Sequence, residues 1–217
     1  LLSKFAKQQI TVALTGDGGD ELFGGYNRYI FLKNFWKKIS ILPFPLRKTF
    51  AETIDLFPIN FINNFKGIFN LLSGSKVTFF GDKVAKFSHK MKSIKNLDEL
   101  FLSSLSTFQE PSSLLVNSKD LSKDILKLKK NLKYFDYEAL MMFIDSQTYL
   151  VDDILCKVDR ASMSTSLETR VPFLDKNVVN LAWRIPTAMK IKNKEGKWIL
   201  KKILNKYVPK EYFDRPK

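Results

Sequence analysis

Cysteine and histidine are nearly absent: the 217 residues hold one of each, Cys156 and His89. One cysteine excludes an internal disulfide framework and suits a reducing compartment, the cytoplasm. One histidine excludes a metal centre built on imidazoles. His89 reads as a surface residue, because isolated polar side chains are mostly exposed. No apolar run reaches the ~18 residues that a membrane span demands. The opening Leu-Leu-Ser-Lys-Phe-Ala-Lys lacks the apolar stretch and cleavage site of a secretory signal. Repeats and low-complexity linkers are also missing. Acidic residues are the scarcer charge, 22 against 36 Lys and Arg, for a net charge of +14. That excess raises nucleic-acid binding as one function class. Lysines outnumber arginines, however, and occur beside abundant Asn, Ile and Phe, as a general coding bias would produce. They fall in polar helical stretches, 119–133 and 190–210, which usually form solvated faces. Neither nucleic acid nor a membrane is expected as a partner.

What is present is concentrated in one run, Thr11-Val-Ala-Leu-Thr-Gly-Asp-Gly-Gly-Asp-Glu-Leu-Phe-Gly-Gly-Tyr26. Ile10, Val12, Ala13 and Leu14 predict a short buried strand. Gly16, Gly18 and Gly19 allow a sharp turn and close approach of a ligand to the backbone. Asp17, Asp20 and Glu21 place three carboxylates in that turn. Leu22, Tyr26, Tyr29 and Ile30 follow at helical spacing, predicting a helix that ends near Trp36. A strand entering a helix through such a turn is where open α/β sheets hold ligands. The turn is neither a dinucleotide fingerprint nor a Walker A loop, since Glu21 takes the third glycine position and no Gly-Lys-Ser/Thr follows. Carboxylates beside a phosphate make sense when Mg²⁺ lies between them. The alternative is that Asp17 and Asp20 only cap the helix and complement its dipole.

Farther along, Pro43 and Pro45 are expected to break regular structure. Phe61, Phe65, Ile68 and Phe69 predict a short amphipathic helix whose aromatics face a core. Tyr137, Leu140, Met141, Ile144 and Thr148 define another helix. In the next, Asp153, Lys157 and Arg160 share a face, with Asp152 and Asp159 beside them. Small residues, Ala161, Ser162, Ser164 and Ser166, permit close approach. This face reads either as a salt-bridged solvent surface or as a pocket wall. Glu168 and Arg170 are expected to form a buried ion pair that pins a loop. Asp175 is placed to cap a helix that stops at Pro186. A last helix, through Trp198, Ile199, Ile203 and Tyr207, is expected to end before Pro209.

The run Thr15–Gly25, taken with Asp152-Asp-Ile-Leu-Cys-Lys-Val-Asp-Arg-Ala-Ser-Met-Ser-Thr-Ser-Leu-Glu-Thr-Arg-Val-Pro-Phe-Leu-Asp175, closely resembles the synthetase domain of glutamine-hydrolysing asparagine synthetases. Asp214-Arg-Pro-Lys217 resembles the start of a third motif of that family. The resemblance runs in order along nearly the whole chain. Residues 35–135 carry little of it. It implies an α/β fold, part of a parallel-sheet ATP-pyrophosphatase domain, with this portion mostly helical. It also implies the reaction. ATP activates the side-chain carboxylate of aspartate as an acyl-adenylate, and glutamine-derived ammonia displaces AMP to give asparagine. The ammonia comes from an amino-terminal glutaminase domain, and a homodimer is compatible with the family.

The resemblance assigns Asp20 to Mg²⁺ and makes Lys217 the catalytic lysine at the phosphates. Thr15, Gly16, Asp17, Gly18 and Gly19 line the ATP and substrate pocket, with Arg160 in its wall. Asp17 is also the candidate catalytic group that holds the substrate ammonium. The family's pyrophosphate loop, Ser-Gly-Gly-x-Asp-Ser, and its glutaminase cysteine are expected upstream of Leu1. A Gly-Phe pair is expected beyond Lys217. Residues 1–217 thus read as a partial synthetase domain, inactive by itself. Two other functions stay open: a related amidotransferase or cyclising synthetase acting on another carboxylate, and a non-catalytic basic binding module.

Overall fold

The computed structural model describes residues 1–67, 70, 79–105 and 136–213. The chain divides into two compact units, Leu1–Phe31 with Glu110–Lys217, and Leu32–Gln109. The first is a mostly helical α/β unit holding a small parallel sheet.

In that unit α1 (Leu2–Lys7) leads to β1 (Val12–Leu14), which pairs in parallel with β2 (Glu168–Arg170). Val12, Ala13 and Leu14 stand opposite Glu168, Thr169 and Arg170. The ladder is closed at both ends: Glu168 N donates to Thr11 O at 3.0 Å, and Thr15 N to Arg170 O at 2.9 Å. The expected buried strand is only half covered, with Val12 39% and Leu14 73% exposed. Alternate residues of a strand face opposite ways, and the covered face here is that of Ala13 and Thr169. The Thr169 hydroxyl lies 3.4 Å from that of Ser162, on the helix Cys156–Met163.

The helix expected from Leu22 to Trp36 is two helices. α2 (Gly19–Phe23) stops on Gly24, which adopts a left-handed conformation, and α3 (Asn27–Ile39) starts afresh. α8 (Tyr137–Gln147) buries Leu140, Met141, Met142 and Ile144, and Asp136 Oδ1 accepts from Ala139 N at 2.8 Å to cap it. A π-helix (Leu150–Leu155) then feeds into α9 (Cys156–Met163).

Asp175 caps α10 (Lys176–Arg184) as expected, accepting from Asn177 N at 2.8 Å. Its Ala182 joins Leu22 and Phe23 in a cluster packed against Phe173, Leu174 and Trp183. α11 (Thr187–Lys190) follows, and α12 (Trp198–Leu204) ends at Leu204 rather than reaching Tyr207.

The second unit is built from the later part of α3 with α4 (Phe44–Asp55), α5 (Ile59–Asn64), α6 (Phe80–Ser93) and α7 (Leu97–Leu105). The expected break is present as the gap between α3 and α4, and the same prolines start α4. Pro43 is the N-cap of α4 and Pro45 lies in its first turn, where a missing N–H costs nothing. Ala51 and Ser88, both fully buried, let α4 and α6 approach closely. Ser88 Oγ bonds Ala51 O at 2.9 Å and Asp55 Oδ1 at 2.6 Å. Phe61 and Phe65 are not core residues: they are 46% and 49% exposed. α5 ends at Asn64, so it is too short to gather the expected stripe. Instead Phe61 stacks on Phe57, with centroids 5.3 Å apart, and meets Phe65 edge-on at 5.4 Å. Ile68 and Phe69 lie outside the described residues.

Candidate active site

β1 delivers Thr15, Gly16 and Asp17 into the turn, and Gly18 begins α2 as its N-cap with φ 79°. No side chain caps that helix end, so capping does not account for Asp17 and Asp20. Gly18 is required twice over. Its φ is left-handed, and a Cβ there would lie 2.5 Å from Leu174 Cδ2. Gly19 is pressed on the Phe173 ring, which a Cβ would meet at 3.2 Å. These two glycines therefore fit the turn to the protein's own Phe173-Leu174. At Gly16 nothing lies within 4 Å of such a Cβ, and the turn is open on that side.

The turn carries unused hydrogen-bonding capacity. Thr15 Oγ1 and Asp20 Oδ1 are buried without a hydrogen-bond partner. Asp17 is half-buried and makes no side-chain hydrogen bond or ion pair among the described residues. Leaving a buried polar group unsatisfied costs ~1–3 kcal/mol. These oxygens are suited to a ligand or a hard cation.

Asp20 also has a partner that the sequence did not announce. Lys197 Nζ lies 2.9 Å from its Oδ2. Lys197 itself is left-handed, with φ 55°, and its N–H donates to Phe23 O at 3.1 Å. The pair passes over Gly25, where a Cβ would fall 1.9 Å from Asp20 Oδ1 and 2.4 Å from Lys197 Cε. The one sequence signal for this contact was Gly196-Lys197 opening a helix.

Behind the turn lies a buried polar network. Glu21 accepts from Tyr26 Oη at 2.6 Å, and burial raises its pKa although that hydrogen bond opposes the shift. Burial and the Glu21 carboxylate hold the Tyr26 phenol protonated. Asp145, fully buried on α8, accepts from Tyr29 Oη at 2.6 Å and pairs with Arg28 Nη2 at 2.8 Å. Burial raises the Asp145 pKa and the two donors offset part of the shift. The Arg28 guanidinium also sits over the rings of Tyr26 and Tyr149, 4.6 and 5.0 Å from their centroids. Arg28 thereby ties the turn to the start of the π-helix. Breaking such a buried pair from one side costs ~3–5 kcal/mol.

The second segment forms an open cleft of about 500 Å³ lined by Asp152, Asp153, Cys156, Lys157, Arg160 and Ala161. Asp153 and Lys157 pair at 3.2 Å, exposed and one helical turn apart, a contact contributing only ~0.3–0.5 kcal/mol. Arg160 is exposed in the cleft. No hydrogen bond or ion pair joins it to Thr15–Gly19 among the described residues. The Glu168–Arg170 pair exists, Nε to Oε1 at 2.7 Å, but it is exposed rather than buried. Residues two apart on a strand share a face, and in β2 that face is the outer one. Lys217 lies outside the described residues.

Among the described residues no group of three His, Cys, Asp or Glu is arranged as a metal cage. Mg²⁺ needs no such cage, since it keeps waters and is commonly held by one or two carboxylates plus phosphate oxygens. The unpartnered Asp20 Oδ1 fits that requirement.

The asparagine synthase family model matches residues 1–217. The chain is 32% identical over 219 residues to glutamine-hydrolysing asparagine synthetase 1 of Bacillus subtilis, covering all of this chain and 31% of that protein. It is 29% identical over 222 residues to a putative glutamine-hydrolysing asparagine synthetase of Mycobacterium tuberculosis, covering all of this chain and 30% of the relative. A glutamine-hydrolysing asparagine synthetase of Triphysaria versicolor is 44% identical over 69 residues, 28% of this chain and 12% of that protein. No solved structure gives a significant match. The chain spans about a third of the length of the first two relatives. With its turn, cleft and full-length match, this chain belongs to the asparagine synthase family.

Proposed function

We propose that the intact protein carrying this chain is a ligase that converts aspartate to asparagine. In this reading an aspartate side-chain oxygen attacks the α-phosphorus of ATP and pyrophosphate leaves. Ammonia then attacks the resulting acyl-adenylate carbon, AMP leaves with the acyl C–O electrons, and the nitrogen loses a proton. Glutamine supplies the ammonia from a separate glutaminase domain; the relatives' name and their greater length support that part. The proposed fold is an ATP-pyrophosphatase sheet that continues past β1 and β2. The exposed Val12 and Leu14 fit a strand with further cover. The proposed location is cytoplasmic, and a homodimer is compatible with the reading.

The observation that carries the reading is the turn after β1. Thr15 Oγ1 and Asp20 Oδ1 are buried and unpartnered there, with the Asp17 carboxylate beside them in sequence. Asp17 is proposed to hold the ammonium of the substrate, and Thr15, Gly16, Gly18 and Gly19 to frame the nucleotide and substrate. Asp20 would hold Mg²⁺, which supplies charge neutralisation at the phosphates. Arg160 would stand in the wall of the pocket. Lys217 would meet the charge that grows on the phosphoryl oxygens. Such preorganised contacts act chiefly on the transition state.

Aspartate-dependent AMP and pyrophosphate formation by the intact protein, with ammonia or glutamine supplied, tests the reading. Asparagine formed in step with AMP supports it. AMP formation that responds to another carboxylate and not to aspartate would reassign the substrate, and no adenylation at all would refute the enzyme.

A further inference from the structure

A buried lysine remains that the adenylation reading does not use. Lys190 closes α11, and its side chain is 2% exposed. Its Nζ lies 4.9 Å from the centroid of the Trp183 ring. Among the described residues it has no ion pair and no side-chain hydrogen bond. A cleft of about 260 Å³ opens onto it, lined also by Asp136, Trp183, Arg184, Pro186 and Thr187. Burial lowers the Lys190 amine to about 8, against the pull of Asp136. Among the described residues the ring is thus its close partner, and Asp136 across the cleft acts on it without forming an ion pair; a buried ammonium so placed is short of a counter-ion.

We propose that this cleft binds a small monocarboxylate, held by Lys190 at its floor. The lining charge decides the class. Lys190 and Arg184 are cations and Asp136 is an anion, so one negative charge balances the site. A dianion such as phosphate would leave excess charge facing Asp136. One oxygen of Asp136 is already taken by the cap on Ala139 N, which fixes its carboxylate in place. Trp183 and Pro186 give a short hydrocarbon stem an apolar wall, and Thr187 adds a hydroxyl donor to the lining. None of these residues is assigned to adenylation, so the proposal stands or falls independently of that chemistry.

Binding requires the charged lysine. With the ligand ionised, affinity is therefore level from about neutral pH to about 8 and declines roughly tenfold for each pH unit above it. Among the described residues, the charged groups that line the cleft with Lys190 are Asp136 before α8 and Arg184 at the end of α10. The Lys190 amine, lowered by burial, is the group whose charge the profile follows.

The test is calorimetric titration of the intact protein with sodium acetate, referenced to sodium chloride, and repeated with inorganic phosphate. Acetate should bind at about pH 7 and bind at least tenfold more weakly at about pH 9.5. Lys190→Met keeps the stem against Trp183, removes the charge, and should weaken acetate binding at least tenfold. The wild-type pH profile needs no variant, so the proposal remains testable if Lys190→Met misfolds. Acetate binding that is absent from wild type, unaltered by Lys190→Met, equal at the two pH values or weaker than that of phosphate would overturn it.

Discussion

Asp20→Asn distinguishes a structural carboxylate from a metal-holding one, because the two roles differ greatly in size. Asp20 Oδ2 and Lys197 Nζ are 2.9 Å apart, with side chains 28% and 31% exposed. An ion pair so accessible to water contributes only ~0.2–1 kcal/mol. Asparagine keeps the size and an oxygen that still accepts from Lys197, so the structural loss lies within that range. For a domain of ~150–250 residues, 1 kcal/mol corresponds to a Tm drop of about 2–4 °C. A carboxylate that places Mg²⁺ at the phosphates is another matter. Removing one preorganised electrostatic contact typically costs ~10²–10³-fold in rate, or roughly 3–4 kcal/mol of barrier. The assay is single-turnover pyrophosphate release by the intact protein at several magnesium concentrations, with glutaminase activity and Tm measured in parallel. The expected outcome is a rate at least ~10²-fold lower, unchanged glutamine hydrolysis and a small Tm change. Near-normal synthesis with unaltered magnesium dependence would refute the metal assignment and leave Asp20 as the partner of Lys197 alone.

Glu21→Gln addresses the buried network. The folded-state pKa of Glu21 lies above its ordinary 4.5, so folding favours the protonated carboxyl. Its penalty is absent below about 4.5 and grows as pH rises through the raised value. The amide has no such penalty, so stability from denaturant unfolding should fall less with pH in the variant than in wild type. Equal pH slopes would show that Glu21 ionises as freely when folded as when unfolded. Lys217→Ala should lower the turnover of adenylation much more than it raises the Michaelis constant for ATP, as expected for a contact made mainly in the transition state. Normal turnover with only a raised constant would make Lys217 a binding contact.

Local signals with one dominant cause were legible in the sequence. The apolar spacing from Tyr137 to Thr148 gave the place of α8, and Asp175 capped its helix because an aspartate before an amphipathic run has few other uses. The strand–turn–helix at Thr15 followed from glycines set between apolar runs. Errors arose where packing decides. Pro43 and Pro45 follow a break as expected, but they also open α4, which the residues after them determine. Glu168 and Arg170 were paired correctly, but which face of β2 is covered depends on α9. Gly25 carried no reading of its own beyond the end of the family-like run, whereas its missing side chain makes room for Asp20 and Lys197. That contact joins residues remote in sequence, as does Arg28 with Asp145. No local period encodes either one.

The π-helix at Leu150–Leu155 has a consequence for how such chains change over generations. A π turn spends one more residue than an α turn. The fold thus accommodates here a residue that α geometry would not need, and Arg28 over Tyr149 fastens its leading edge. Each residue of an α-helix advances the side-chain direction by ~100°. Losing one residue here would leave α8 and α9 chemically intact while swinging one about a third of a turn around the other. Lys157 and Arg160 would then leave the cleft they share with Asp152 and Asp153. A single-residue gap at this point in a relative is thus no neutral difference in length. It marks a chain in which that wall has a different membership.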